Sequence, residues 1–267
     1  MKVKKKIKIG IVQGRLSESP INRLQFFPKD YEAEFPIAKK IGFDYIEFFS
    51  ERKFNKNNPI WNKEGLKNYN YLSNKFNLIN YTFCDDFIIS NPITEKKTKL
   101  YLKGLIEQFY KLKINNLILP LYGKSLMTDS NYYKYLASIE KILSYKKKLN
   151  IFLEGHISPS TFLEIKKNKV FKNLKFLFDT GNRSILKRNL YHDILSFGRH
   201  IGHIHIKDKN NEKKNVKLGN GSVNFQNVFN CLRKINYQGN ITLETPREKN
   251  FIRSAKNNLK FVKKYLG

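Results

Sequence analysis

The chain is poor in cysteine: Cys84 and Cys231 are its only two in 267 residues, too few for a disulfide framework. It lacks any apolar run near the roughly 18–20 residues that span a bilayer, so no membrane partner is expected. The first apolar run ends in Gly10-Ile11-Val12-Gln13-Gly14-Arg15, which does not match the Gly-x-Gly-x-x-Gly turn of a dinucleotide-binding sheet. No Gly/Ser-rich linker or low-complexity block divides the chain, and residues 1–267 read as one domain. A core of this size forms without a structural metal. Acids are scarce as well, 22 against 51 Lys and Arg, giving a net charge of +29 at pH 7. That charge invites a nucleic-acid reading. However, lysine is spread along the whole chain with no separate basic tail, and asparagine and isoleucine are abundant too, the skew that an AT-rich coding sequence produces. Nucleic acid is therefore not the expected partner, although such a surface attracts anionic substrates. The basic start Met1–Lys6, followed by apolar Ile7–Gln13, resembles a signal peptide in outline. Lys8 interrupts the run and no small-residue cleavage site follows, so a first strand in a cytoplasmic protein is the expectation.

What is present is a rhythm. Strand-like runs at Ile7–Gln13, Tyr45–Phe49, Leu78–Phe83, Asn116–Leu121, Asn150–Glu154, Lys175–Asp179, Ile201–Ile206 and Asn240–Glu244 alternate with amphipathic stretches. The latter span Tyr31–Ile41, Lys63–Phe76, Glu95–Lys113, Tyr132–Lys148, Ser160–Lys167, Leu190–Phe197, Phe225–Ile235 and Phe251–Tyr265. Strict alternation implies parallel strands with crossover helices. Eight repeats in a chain of this length predict a single α/β domain, a (β/α)8 TIM barrel.

Four strings carry the chemistry: Leu153-Glu154-Gly155-His156, Phe178-Asp179-Thr180-Gly181-Asn182, His203-Ile204-His205-Ile206-Lys207-Asp208 and Leu243-Glu244-Thr245-Pro246-Arg247. In a barrel the strand ends share one mouth, where active sites form. Glu154, Asp179, His205 and Glu244 then converge from strands five to eight. Carboxylates with one imidazole suit one divalent metal ion, Mn, Mg, Co or Zn. Such an ion with open positions polarises a substrate carbonyl and acidifies the neighbouring C–H. Each acid alone reads equally well as a helix cap or a lysine partner; four at consecutive strand ends do not. His203 and His156 share faces with His205 and Glu154 and read as packing or supporting groups.

These strings, in this order, resemble the xylose-isomerase-like barrel superfamily of sugar phosphate isomerases and epimerases. The resemblance starts at Gln13-Gly14-Arg15-Leu16 and continues through Gly42-Phe43-Asp44-Tyr45-Ile46-Glu47. It then takes in Asp179-Thr180-Gly181-Asn182, His205-Ile206-Lys207-Asp208 and Leu218-Gly219-Asn220-Gly221-Ser222-Val223-Asn224-Phe225, which look like segments of pentulose-phosphate 3-epimerases. It implies Glu154, Asp179, His205 and Glu244 as metal ligands, with Glu154 and Glu244 also the catalytic proton-transfer pair on opposite faces of the sugar. Asn182 and Ser160 stand where free-ketose 3-epimerases carry histidine and glutamate, which points toward the phosphosugar branch. Glu244 stands where the Gln-Gly-Arg-Leu branch often carries glutamine, which favours a complete metal site.

Gln13, Arg15, Glu47, His156, Asn182, Lys207 and Arg247 are the candidate substrate-binding residues, with Lys207 and Arg247 as anion neutralisers. The amides of Gly219-Asn220-Gly221-Ser222 offer an alternative anion site or a simple turn. The expected function is a metal-dependent isomerase or epimerase of a sugar phosphate or related keto-sugar, acting by proton abstraction beside a carbonyl through an enediolate. A dehydratase or lyase of a keto-sugar or keto-inositol shares that first step. An endonuclease IV-like repair enzyme needs many histidines, and this chain has five, none before His156. A non-catalytic sugar-binding barrel would tolerate loss of a ligand. The expected partner is a small-molecule sugar or sugar phosphate, and a homodimer is compatible with it.

Overall fold

The computed structural model describes residues 6–18, 24–186 and 188–266; most of the basic start Met1–Lys6 lies outside them. Eight parallel strands close into a barrel: β1 (Ile9–Val12), β2 (Tyr45–Ser50), β3 (Thr82–Asp85), β4 (Asn116–Pro120), β5 (Asn150–Glu154), β6 (Leu174–Asp179), β7 (Ile201–Ile206) and β8 (Asn240–Leu243). The neighbours run β1–β8–β7–β6–β5–β4–β3–β2 and back to β1. The outer ring holds α1 (Glu34–Ile41), α2 (Lys63–Lys75), α3 (Lys96–Leu112), α4 (Tyr133–Ser144), α5 (Pro159–Lys167), α6 (Leu190–Phe197), α7 (Phe225–Lys234) and α8 (Phe251–Leu266). The (β/α)8 expectation holds.

Alternation along each strand divides the side chains into two sets. Residues such as Phe83, Leu117, Ile151, Phe176, Ile204 and Leu243 face the helices and build the main core. The alternate residues Phe49, Cys84, Ile118, Phe152 and Leu177 form a separate small cluster inside the barrel. Across from it β2, β7 and β8 turn Glu47, His203, His205 and Thr242 inward, all at most 1% exposed. The barrel interior is therefore apolar on one side and polar on the other, and the polar side leads up to the mouth.

The third strand differs from its expected span. Leu78 belongs to the helix-facing core, after a left-handed turn at Asn77 (φ 49°). The ladder instead runs through Asp85, paired with Ser50. A carboxylate is tolerated there because the Ser50 and Tyr101 hydroxyls both donate to it. The strand thus ends later than its apolar run, and Asp86 falls at the mouth.

The turn after β1 depends on Gly14 and Glu34. Gly14 has φ 83°, and a Cβ there would lie 2.6 Å from the Phe26 carbonyl oxygen. Its N–H, the Leu16 N–H and the Ser17 hydroxyl all donate to the buried Glu34 carboxyl. Burial outweighs these donors and pushes that carboxyl from 4.5 up to about 7. A folded-state value above the unfolded one means that protonation favours the fold. This contribution is complete below about 4.5 and is lost as pH rises through about 7. Glu34→Gln is expected to flatten the pH dependence of Tm across that window, while lowering Tm overall by setting an amide NH2 against the Gly14 N–H. An unchanged slope would count against the assignment.

Candidate metal centre

Asp179, His205 and Glu244 come together at the ends of β6, β7 and just past β8, with one ligand atom from each lying within 4.8 Å of the others. All three are buried. His205 stands between two carboxylates: Nδ1 is 2.9 Å from Glu244 Oε2, and Nε2 is 2.9 Å from Glu47 Oε1. Burial opposes a charge on the imidazole, but Glu47 and Glu244 outweigh it and raise its pKa well above the ordinary value. Neither ring nitrogen is aligned as a hydrogen bond, and Asp179 Oδ2 likewise has no hydrogen-bond partner among the described residues. Buried donor atoms facing one another without hydrogen-bond alignment are the arrangement expected of ligands gathered for a cation.

Lys207 lies among these groups. Its Nζ sits 3.0 Å from Asp179 Oδ2 and 2.9 Å from Glu244 Oε1. Burial disfavours the ammonium, yet the carboxylates of Asp179, Glu244 and Glu154 raise its pKa above the ordinary lysine value. Gly181 makes room for it, since a Cβ there would meet Lys207 Cγ at 2.9 Å. Asp179 Oδ1 meanwhile accepts from the Asn182 N–H at 2.6 Å and caps the short helix Thr180–Ser184. The cap and the lysine pair, the bland readings of this acid, are thus both present alongside the ligand geometry.

Glu154 stands apart from the trio. Its Oε1 accepts from the Tyr122 hydroxyl and from Asn182 Nδ2, each at 2.9 Å. Burial and the Asp179 carboxylate push its pKa up. Glu244 moves the other way: Lys207 and His205 overcome the effect of burial and hold it below the ordinary carboxylate range. Gln25 Nε2 also donates to Glu244 Oε1 at 2.9 Å.

The remaining candidates lie at different depths, and of them Arg15 reaches the site, with Nη2 3.9 Å from Glu244 Oε1. Glu47 lies at the level of the inward histidines, where Oε2 accepts from the Thr242 hydroxyl (2.8 Å) and meets His203 Nε2 (3.1 Å). His205 and His203 overcome burial and hold it down at about 2. With Glu47 at its Nε2, His205 turns its Nδ1 side toward Asp179 and Glu244. His203 stacks on Phe152 with 8° between the rings. Gln13 turns outward, its Nε2 3.4 Å from the Tyr69 hydroxyl on α2. Arg15 and Arg247 both donate to the Leu24 carbonyl, and Arg247 also donates to the Gly14 carbonyl and lies over the Phe26 ring. They brace the loop after β1. His156 is half-buried, edge-on to Tyr122. The Gly219, Gly221 and Val223 amides all donate to Asp208, so the loop is an internally satisfied turn and its amides are not available to an anion. Tyr122, Gln25 and Asp86 were not expected from the sequence. Asp86 carries the same signal as the others, an acid closing an apolar run.

Residues 35–265 match the family described as xylose isomerase-like TIM barrel. An uncharacterized protein of Methanocaldococcus jannaschii, MJ1311, is 34% identical over 113 residues, 41% of this chain and 37% of that protein. An L-ribulose 3-epimerase of Methylomonas sp. is 24% identical over 227 residues, 78% of this chain and 76% of that one. Among solved structures, a D-psicose 3-epimerase from Clostridium cellulolyticum H10 superposes with a TM-score of 0.75 at 16% identity, covering 97% of this chain and 99% of that one. No helix among the described residues is long and apolar enough to cross a membrane. With the closed eight-stranded barrel, the acids and histidine at its carboxyl ends and a match over most of its length, this chain belongs to the xylose isomerase-like TIM barrel family.

Proposed function

We propose that the protein is a divalent-metal-dependent epimerase or isomerase of a keto-sugar. The convergence of Asp179, His205 and Glu244 beside Glu154 carries this reading. The similarity to an L-ribulose 3-epimerase supports it. Asp179, His205 and Glu244 would hold the ion, with Glu154 the fourth ligand by resemblance. When bound, the ion supplies Lewis-acid polarisation of the substrate carbonyl.

The residues themselves move the proton. One of Glu154 and Glu244 accepts it from the carbon beside the carbonyl as the C–H bond breaks. The electron pair forms the enediolate C=C, and the carbonyl oxygen takes the negative charge. The other glutamate, held in protonated form, returns a proton to the opposite face, which restores the ketone with that carbon inverted. Tyr122 and Asn182 fix Glu154, while Lys207, His205 and Gln25 fix Glu244. Each carboxylate therefore meets substrate in a set orientation.

Incubation with Mn²⁺ and a panel of ketoses and ketose phosphates in D₂O tests the reading. Deuterium is expected at the carbon beside the carbonyl for at least one substrate. No uptake from any of them would overturn it.

A further inference from the structure

Nine acids are buried among the described residues: Glu34, Glu47, Asp85, Asp86, Glu154, Asp179, Asp193, Asp208 and Glu244. Eight of them meet N–H or O–H donors or a cation. Glu34 and Asp208 each accept backbone N–H groups, Asp85 accepts two hydroxyls, and Asp193 pairs with Arg183. Glu47, Glu154, Asp179 and Glu244 are held as described above. Asp86 is the exception. It is 6% exposed, makes no side-chain cap to the short helix Phe87–Ser90 that it precedes, and accepts from the Cys84 thiol, a weak donor, at 3.8 Å.

Its position gives the reason. Asp86 follows the last residue of β3 and, two residues beyond Cys84, shares its inward side. In the closed order β3 lies across the barrel from β7, which carries His205. The charges that act on it most strongly are Glu244 and Glu154, and with burial they push its carboxyl up to about 7. A buried carboxyl served only by a weak thiol donor is costly, and a ligand that brings stronger donors reduces the cost. Arg52, the cation acting on it, is exposed. Lys207, Arg15 and Arg247 are engaged with Asp179, Glu244 and the loop after β1.

We infer that Asp86 receives a hydroxyl from the end of the substrate remote from the Asp179–His205–Glu244 trio, and that it selects a neutral polyhydroxy end over a phosphorylated one. A hydroxyl donates to Asp86, whereas a phosphate brings acceptors and charge of the same sign to a carboxyl on which Glu244 and Glu154 already act. This rests on the keto-sugar reading for the identity of the remote end, but binding tests it separately from turnover.

The metal-loaded protein is titrated calorimetrically with a non-reacting hexitol and with the corresponding hexitol phosphate. The wild-type protein is expected to bind the hexitol and prefer it. Asp86→Ala should weaken hexitol binding at least about ten-fold, the loss of one charge-assisted hydrogen bond, with Mn²⁺ binding unchanged and the ligand-free Tm no lower than that of wild type, since a costly buried carboxyl is removed. Asp86→Asn keeps the shape and one acceptor but removes the charge, and should narrow the preference over the phosphate. Wild-type protein that binds no hexitol, or variants that match its affinity and preference, would overturn the inference while leaving proton exchange intact. Asp86-dependent hexitol binding without exchange from any ketose would instead sink the proposed function and leave this inference standing.

Discussion

Glu154→Gln is expected to lower deuterium exchange about a hundred- to ten-thousand-fold, the range for removal of a general acid or base, while weakening divalent-ion binding only partly, because Asp179, His205 and Glu244 remain to hold the ion. The separation follows from the geometry. The candidate metal trio is Asp179, His205 and Glu244, and Glu154 is held beside it by Tyr122 and Asn182. Glutamine keeps the oxygen that accepts from both, so the wall of the mouth is preserved. Glu244→Gln differs, because Glu244 faces His205, Lys207 and Gln25 at once, and metal and exchange should be lost together. Electron paramagnetic resonance of added Mn²⁺ reads the first quantity and mass spectrometry of the sugar the second. If Glu154→Gln exchanged protons at the wild-type rate, Glu154 would have no place in proton transfer.

The second large effect concerns Lys207→Met. In the metal-free protein the ammonium bridges Asp179 and Glu244, and its removal leaves two buried carboxylates without that counter-charge. Breaking a buried pair by deleting one partner costs about 3–5 kcal/mol, so the metal-free variant should unfold at clearly lower temperature or denaturant concentration. The effect on metal binding has the opposite sign. The ammonium and a divalent ion repel each other and compete for the same two oxygens, so the variant should bind Mn²⁺ at least about ten-fold more tightly, a gain of about 1.4 kcal/mol. Saturating Mn²⁺ should then recover much of the lost stability, as binding to the native state alone requires. Chemical denaturation with and without Mn²⁺ reads both effects. A variant as stable as wild type without metal would show that Lys207 does not serve as the counter-ion.

The sequence carries the barrel and its four metal-site candidates because both follow from local signals. Apolar runs set the strands, and an acid or histidine ends the run. The third strand was displaced because Leu78 extends the apolar run backward into the helix-facing core, while the ladder continues forward through Asp85. The groups that make Asp85 tolerable, Ser50 and Tyr101, lie 35 and 16 residues away. Asp86 was missed with that boundary. Arg15 and Arg247 could not be placed from residue type, since the acceptor they share is the backbone carbonyl of Leu24. Glu47 does not end its strand but sits inside Tyr45–Ser50, and its height within the barrel depends on the register that sets it against His203 and His205.

The braced first loop has a bearing on how the site assembles. Arg247 reaches Gly14 across 233 residues, and Gln25 reaches Glu244 across 219. These contacts span the β1–β8 seam, the one junction of the barrel that joins the two ends of the chain. Such distant pairings carry the largest loop-closure entropy and follow local ones in folding. Glu244 acquires its final orientation only when that seam is sealed. A chain with seven strands in place therefore has Asp179 and His205 on their strands but Glu244 still unplaced, and the three groups come together only on completion of the ring.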